Sequence, residues 1–195
     1  EKRGKELIGI ALFVLGCIAA AMIASYDPHD PSWISATDAP VRNWMGGIGA
    51  SIAAPLFMIV GWGSWGLPVV LLAWGARFVL HVGEDRALSR IIFAPIMFAM
   101  ASIYASTLVP GAGWTHSFGL GGLFGDTVLG AVLTILPISA VTGLKIMSLV
   151  VGLVLVAMAV FVLGTTRDEL RQTLRFLIVG IILTYAMIMT LLGKG

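Results

Sequence analysis

The chain has 195 residues, enough for one or two soluble domains, but its composition excludes them. Hydrophobic residues make up 58% of the sequence and charged residues 11%, whereas a water-soluble domain carries about 25% charged residues. The formal net charge is +2, and no basic run follows the pattern of a nucleic-acid-binding segment. The composition therefore predicts an all-α integral membrane protein without nucleic-acid contact.

Four apolar segments are long enough to cross a membrane, which takes about 20 residues for roughly 30 Å of hydrocarbon. They predict a polytopic helix bundle and cover residues 7–25, 50–80, 90–109 and 146–164. The second segment would run to roughly 46 Å as one helix, which is too long for an upright crossing. It contains Pro55, Pro68 and the sequence GWGSWG (61–66). We therefore expect a bent or broken helix whose first part, up to Val60, lies at the outer interface.

The segment 120–138 contains a shorter unbroken apolar run than these four. It has only about a dozen unbroken apolar residues, between Asp126 and Pro137, which is short for a crossing. Such a segment is typical of a re-entrant or interfacial helix.

The last apolar segment, residues 176–192, lies at the lower length limit of a crossing. It belongs to a longer helix, because Thr166 and Glu169 have the spacing of a capping box. The sequence thus predicts a four-helix membrane domain over 1–165 and a capped helix over 166–195. The apolar half of that helix is either interfacial or spanning.

The positions of lysine and arginine predict the orientation of the chain. With four spans, nine of the twelve basic residues lie on the side of the N-terminus; a six-span alternative places eight there. Both counts predict a cytoplasmic N-terminus in a bacterial inner membrane, with the loops 26–49 and 110–145 mainly periplasmic. Charge alone does not choose between the two span counts.

The predicted spans contain no ionisable side chain in their interiors. Buried charge is costly and is characteristic of proton relays and ion-coupled transporters, so the pattern disfavours both. The chain also lacks a phosphate-binding P-loop motif. We predict no catalytic, cofactor-binding or metal-binding residue here. The hydroxyls inside the third span are interpreted as helix-packing groups: Ser102, Tyr104, Ser106 and Thr107.

One short stretch contains three residues of types that can bind metals: Asp27, His29 and Asp30. Prolines separate them and no second cluster completes a ligand shell, so we interpret them as solvated turn residues. His81 and His116 are isolated in the sequence and are expected to be interfacial polar residues.

The stretch SYDPHDPSW, residues 25–33, follows the first span directly. Pro28 and Pro31 disfavour helix in the residues before them, so the first span must stop where this stretch begins. Asp30 is expected to accept a hydrogen bond from the backbone two residues on. The resulting reversal would hold Trp33 against the headgroup layer and shape the loop for a periplasmic partner.

Small residues recur in and between the spans. Gly16, Ala20 and Ala24 are spaced four apart, which predicts a helix face that a second helix approaches closely. The glycine clusters GGIG, GWGSWG, PGAGW and GLGGLFG do not follow strands, and we interpret them as close-packed or flexible loop backbone.

The stretch SYDPHDPSW at the end of a first span resembles the signature after the first membrane helix of FtsK-type DNA translocases. The resemblance continues through NWMGG (43–47), GLPVVLLAW (66–74) and GGLFGDTV (121–128), and covers residues 1 to about 165. DPSW (30–33) is its most specific part. The structural or interaction candidates on these matching positions are Asp27, Pro28, Asp30, Pro31, Trp33, Gly46, Gly47, Pro68, Gly121 and Gly122.

The resemblance implies the four-helix membrane domain of a bacterial division protein. In that family such a domain tethers a hexameric, ATP-driven DNA motor, which lies outside these residues. The implied partners are the lipid bilayer, membrane proteins of the division site and further copies of the chain. Two alternatives stay open: a small channel or transporter subunit, and an accessory subunit of another membrane complex.

Overall fold

The computed structural model describes residues 2–193, and its regular secondary structure within that range is helical. The helices are α1 (Lys2–Ala24), α2 (Gly46–Val60), α3 (Gly66–Leu80), α4 (Ala87–Ile91), α5 (Ala94–Ser106), α6 (Gly122–Ile135), α7 (Ala140–Val162) and α8 (Arg167–Leu192). Short 3-10 segments lie at Gly61–Trp65 and Glu84–Arg86. The predicted all-α membrane class is confirmed.

Four helical stretches of the described chain are long and apolar enough to cross a membrane: α1, the α2–α3 stretch, α7 and α8. The pair α4–α5 makes a fifth candidate, bent by 56°. Helix α6 has 14 residues and a length of about 21 Å, less than the hydrocarbon thickness. It therefore has the length expected of a re-entrant or interfacial helix.

The long second segment is broken, as predicted, and the break lies at Gly61. Gly61 has a φ of 54°, a left-handed value that residues with a Cβ rarely adopt. Because this value does not continue a right-handed helix, α2 ends there. A 3-10 turn follows, and α3 starts at Gly66. Pro68 is buried in the first turn of α3, where its missing N–H breaks no helical hydrogen bond. Pro55 lies inside α2.

Helices α1 and α3 pack closely and antiparallel. A Cβ on Gly9 would come within 2.8 Å of the Phe78 Cβ, and one on Gly16 within 2.8 Å of the Leu72 side chain. The buried face of α1 comprises Gly9, Gly16, Ala19, Met22 and Ile23. The predicted small-residue face is correct for Gly16 but wrong for the rest, because Ala20 is half-buried and Ala24 is exposed.

The main hydrophobic core joins α3, α5 and α7 around Trp74, which is 1% exposed. Its indole N–H donates to the carbonyl of Val162 at 2.8 Å. Arg77, one turn on, donates from Nε to the carbonyl of Leu163 at 2.7 Å. These two side chains satisfy carbonyls at the end of α7 that the helix itself leaves without a partner.

The turn between α3 and α4 is fastened to the start of α1 by charged groups. His81 Nε2 lies 3.1 Å from a Glu6 carboxylate oxygen, and Lys5 Nζ lies 3.4 Å from carboxylates of Glu84 and Asp85. His81, which has no polar cluster around it in the sequence, therefore has acidic partners in the structure, and its place at the membrane interface stays a prediction. The pKa of the Glu84 carboxyl is lowered by a hydrogen bond from the backbone N–H of Glu84 itself and by the neighbouring Lys5 and His81.

The chain divides into two units, residues up to 164 and residues from 165 on, and α8 belongs to the second. Its capping box is formed as predicted: Thr166 N–H donates to the Glu169 carboxylate at 3.0 Å, and Glu169 N–H donates to the Thr166 hydroxyl at 3.1 Å. No described residue of α8 is buried.

Candidate functional site

The carboxylate of Asp30 fixes the loop between α1 and α2. It accepts hydrogen bonds from the backbone N–H groups of Arg42 at 2.7 Å and Asn43 at 2.9 Å, and Asp30 is only 3% exposed. The predictions that Asp30 is solvated and bonds the backbone two residues on are therefore wrong. Asp27 makes that local bond instead, accepting from the N–H of His29 at 2.9 Å.

Asn43 continues the connection from the loop to the end of α1. Its side-chain NH₂ donates to the carbonyl of Met22 at 2.9 Å, and its side-chain oxygen accepts from the N–H of Met45 at 3.0 Å. Asn43 is 5% exposed; its bond to Met22 is buried and shielded from water, and the bond from Met45 is partly buried. We call Asp30 and Asn43 with these bonds the Asp30–Asn43 clasp. Asn43 lies in the motif NWMGG (43–47), but its role was not predictable from that motif.

A third bond closes the same junction. The hydroxyl of Ser25 donates to the carbonyl of Ala21 at 2.7 Å and accepts from the N–H of Trp44 at 2.9 Å. The end of α1 is thereby linked through side chains to the residues that start α2. The carbonyl of Ala21 also accepts from the N–H of Ser25 at 3.1 Å, so the hydroxyl is a second donor to it, and the bond from Trp44 satisfies an N–H at the start of the next helix.

Asp27 lies at the surface of this loop. Its carboxylate accepts from the backbone and ring of His29 and from Arg42 Nη1 at 3.1 Å. These bonds favour the ionised form, the His29 backbone bond most, and lower the pKa of Asp27. The carboxylates of Asp27 and Asp30 thus bind different groups, and their oxygens do not converge on a common point with His29.

An aromatic cluster lies beside the clasp. Tyr26 stacks on Phe57 with ring centroids 4.2 Å apart and on His116 at 5.7 Å, and His116 stacks on Phe118 at 4.7 Å. His116 therefore lies among aromatic rings, and its place at the membrane interface stays a prediction. Burial raises the pKa of Tyr26 to about 12, with a further contribution from Asp27, and burial lowers the pKa of His116.

This cluster borders an open cleft of about 360 Å³. Its aromatic lining includes Tyr26, Phe57, Trp62, Trp65, Trp114 and His116, and Pro28 lies at its margin. The rings come from the end of α1, the α2–α3 break and the 111–118 loop, so three segments distant in sequence shape one surface.

Two tryptophans of the loop face outward from the clasp. Trp33 is 82% exposed and lies in a reversal in which the N–H of Ser32 donates to the carbonyl of Ser35 and the converse bond also forms. Trp44 is 69% exposed. Pro31 precedes the reversal, and the clasp holds both of its flanks. Both indoles, which are amphipathic groups, are thus accessible at the surface of the loop.

The break at Gly61 packs against the start of α6 through glycine backbone. The N–H of Trp62 donates to the carbonyl of Leu120 at 2.8 Å. A Cβ on Gly61 would come within 2.1 Å of that same oxygen, and one on Gly122 within 2.6 Å of the Gly61 nitrogen. Gly122 also has a φ of 70°. The two backbones therefore pack at distances that only glycine permits.

Helix α5 supplies hydroxyls to the same junction. Ser102, fully buried, donates to the carbonyl of Gly121, and a Cβ on Gly121 would collide with α5. Ser106 donates to the Asp126 carboxylate at 2.8 Å, and Gly119 N–H donates to its other oxygen at 2.6 Å. Ser102 and Ser106 therefore pack helices, as interpreted from the sequence. The structural role of Asp126 was missed because its partners lie seven and twenty residues away.

The remaining two candidate glycines lie at the start of α2. Gly46 has a φ of 67°, which suits a residue that turns the chain into a helix. Gly47 is exposed, and a Cβ there would meet no atom within 4 Å. Nothing in the structure requires glycine at Gly47.

The chain resembles several curated proteins named DNA translocase FtsK. It is 28% identical to the protein of Caulobacter vibrioides over 156 residues, which cover 77% of this chain and 19% of the relative. It is 31% identical to the protein of Azospirillum brasilense over 132 residues, 67% of this chain and 21% of the relative. The chain thus spans about a fifth of the length of these relatives.

No solved structure matches the chain. The family model described as the 4TM region of DNA translocase FtsK/SpoIIIE matches residues 1–168. That range includes the whole first unit, with the clasp, the aromatic cluster and the glycine junction. The chain therefore belongs to the family of 4TM regions of FtsK/SpoIIIE DNA translocases.

Proposed function

We propose that this chain is the membrane-anchoring and interaction domain of a DNA translocase that acts in cell division and chromosome segregation. The family match over residues 1–168 is the observation that supports this most directly. In this proposal the ATP-driven motor lies outside these residues, and the helices hold it at the inner membrane of the division site. The membrane domain itself performs no chemistry.

The use of polar groups in the described helices favours an anchor over a channel or transporter. Ser102 and Trp74 donate to backbone carbonyls of neighbouring segments. The helix break at Gly61, which in a transporter would line a cavity, is filled by the backbone of Leu120 and Gly122. Broken and re-entrant segments here serve packing.

We further propose that the N-terminus is cytoplasmic and that the loops 26–49 and 110–145 are periplasmic, following the distribution of basic residues. The Asp30–Asn43 clasp and the aromatic cleft then form a shaped outer surface. Membrane proteins of the division site would contact this surface through the exposed Trp33 and Trp44, which are residue types common in interface centres.

Orientation is tested by cysteine labelling in intact spheroplasts, with Cys17 replaced by serine. Cysteines at Ser35 and Gly113 should react with a membrane-impermeant maleimide, and one at Asp85 should react only after lysis. Labelling at position 85 in intact spheroplasts contradicts the proposed orientation. Because the proposed motor acts on DNA in the cytoplasm, the chain should return to the cytoplasmic side after an even number of crossings. A reporter fused after residue 195 that is active only in the periplasm contradicts this.

The anchoring function is tested with fluorescent fusions in the native bacterium. A fusion to residues 1–195 should be in the membrane fraction and concentrate at division septa. Deletion of the codons for residues 1–168 of this chain should give a product that is absent from the septum and segregates chromosomes poorly. A deletion product that stays at the septum refutes anchoring by this domain. If the double variant Trp33→Ala, Trp44→Ala stays in the membrane but no longer concentrates at the septum, the result supports the proposed partner surface.

A further inference from the structure

The first turns of α8 carry an arginine stripe. Arg167, Arg171 and Arg175 are spaced four residues apart, so successive side chains are rotated by about 40° and lie on one side of the helix. All three are exposed. The family match ends at residue 168, so Arg171 and Arg175 lie outside the matched range.

The two acidic residues of this segment lie at the helix start. Glu169 reaches back to the backbone of Thr166 in the capping box, and Asp168 lies in the first turn, where negative charge is favoured by the helix dipole. The two later turns contain Arg171 and Arg175 and no carboxylate. Positive charge therefore increases along α8 toward its apolar half.

The apolar half follows the stripe without a gap. Residues 176–192 carry no charged side chain, and their large apolar side chains are exposed on every side of the helix, including Phe176, Ile181 and Leu192. A helix that is apolar all round needs an apolar environment. Leu170 and Leu174 extend this surface back between the arginines.

We propose that the arginine stripe binds the phosphate groups of anionic lipids, such as phosphatidylglycerol, where α8 enters the bilayer. A guanidinium matches a phosphate with two parallel hydrogen bonds, and the arginine stems extend along the apolar surface while their charged ends reach the headgroups. Leu170 and Leu174 would sit at the level of the first acyl carbons.

The charge distribution favours lipid over a second copy of the chain at this position. Two copies packed symmetrically through this face would bring like-charged stripes together, which is unfavourable. An anionic membrane surface instead complements the stripe and is continuous with the apolar solvent that residues 176–192 require.

The test is native mass spectrometry of the whole protein, purified in mild detergent with equal amounts of phosphatidylglycerol and phosphatidylcholine. The ratio of bound phosphatidylglycerol to phosphatidylcholine should fall about tenfold in Arg167→Gln, Arg171→Gln, Arg175→Gln. The variant Arg167→Lys, Arg171→Lys, Arg175→Lys should keep about half of the lipid ratio of the native chain, because lysine keeps the charge but not the paired hydrogen bonds.

The matched control removes the same charge elsewhere: Lys2→Gln, Arg3→Gln, Lys145→Gln, all at exposed positions. Its lipid ratio should change less than twofold. An equal fall in control and stripe variants, or an unchanged ratio in the stripe variant, overturns the proposal. A loss of dimer mass in the stripe variant would identify a second copy as the occupant and also overturn it. If the triple variant does not fold, Arg171→Gln alone should lower the ratio about twofold, and no change overturns the proposal.

Discussion

Replacing Asp30 by alanine should destabilise the membrane domain more than any other single change in the loop after α1. The carboxylate is buried and accepts two backbone hydrogen bonds, at 2.7 and 2.9 Å. Alanine removes both bonds and leaves the N–H groups of Arg42 and Asn43 without an acceptor.

The magnitude follows from these two bonds. A hydrogen bond to a charged group contributes about 1.5–3 kcal/mol, so two contribute about 3–6 kcal/mol. Water can reach part of the vacated space because Arg42 beside it is exposed, so we expect the lower end, about 3 kcal/mol. For a chain of this size that corresponds to a fall in Tm of about 6–12 °C.

The assay is thermal unfolding of the purified protein in detergent, followed by tryptophan fluorescence. Asp38→Ala is the matched control, because Asp38 is an exposed carboxylate of the same loop. Its Tm should change by no more than about 2 °C. Asp30→Asn, which keeps one acceptor oxygen, should fall between the two. Equal Tm values for Asp30→Ala and Asp38→Ala would refute the role of the clasp.

Three further outcomes are expected. Gly125→Ala should cost about 1–3 kcal/mol, because the new Cβ would collide with the carbonyl oxygen of Ser102. Gly130→Ala in the same helix meets no atom within 4 Å and should be neutral or stabilising, so equal stability of the two variants refutes the packing described for α6. Burial raises the pKa of Tyr26 to about 12, so the stabilisation from its neutral phenol is complete below pH 10 and is lost as pH rises toward 12. After allowance for the exposed half of the side chain, this stabilisation is about 1 kcal/mol. A pH titration of Tm should show the loss in the native chain and not in Tyr26→Phe. His116 contacts the rings of Tyr26, Trp114 and Phe118, and burial lowers its pKa. The neutral imidazole therefore contributes stability that is present above about pH 6.5 and is lost as pH falls. The acid titration of Tm should lack this loss in His116→Phe, and identical acid profiles of the two proteins contradict the prediction.

Local chemistry explains what could be predicted for the chain. Hydrophobic run length predicted a membrane helix bundle, since it depends on composition within about 20 residues. Pro28 predicted the end of the first helix, which stops at Ala24, because a proline restricts the residue before it. The capping box at Thr166 was predicted for the same reason, since its two partners are three residues apart.

Some residues of the candidate site were singled out from the sequence, but their bonds were not, and Asn43 and Asp126 were assigned no role there. Asp30 was recognised as a key residue of the loop, yet its partners were expected two residues on and lie twelve and thirteen residues on. The broken helix was predicted from its excess length, whereas the position of the break at Gly61 depends on contact with Leu120 and Gly122. His116 looked isolated because its aromatic neighbour Tyr26 is ninety residues away.

The sequence by itself determined that this protein lies in a lipid bilayer and where prolines and caps end or start its helices. These properties follow from side chains acting on their own backbone and on the surrounding lipid or water. Only the tertiary structure decided which small residues face another helix, which carbonyls Trp74 and Asn43 satisfy, and where two backbones meet at glycine. Those outcomes depend on pairs of groups brought together by the packing of distant helices, and no local pattern specifies such a pair.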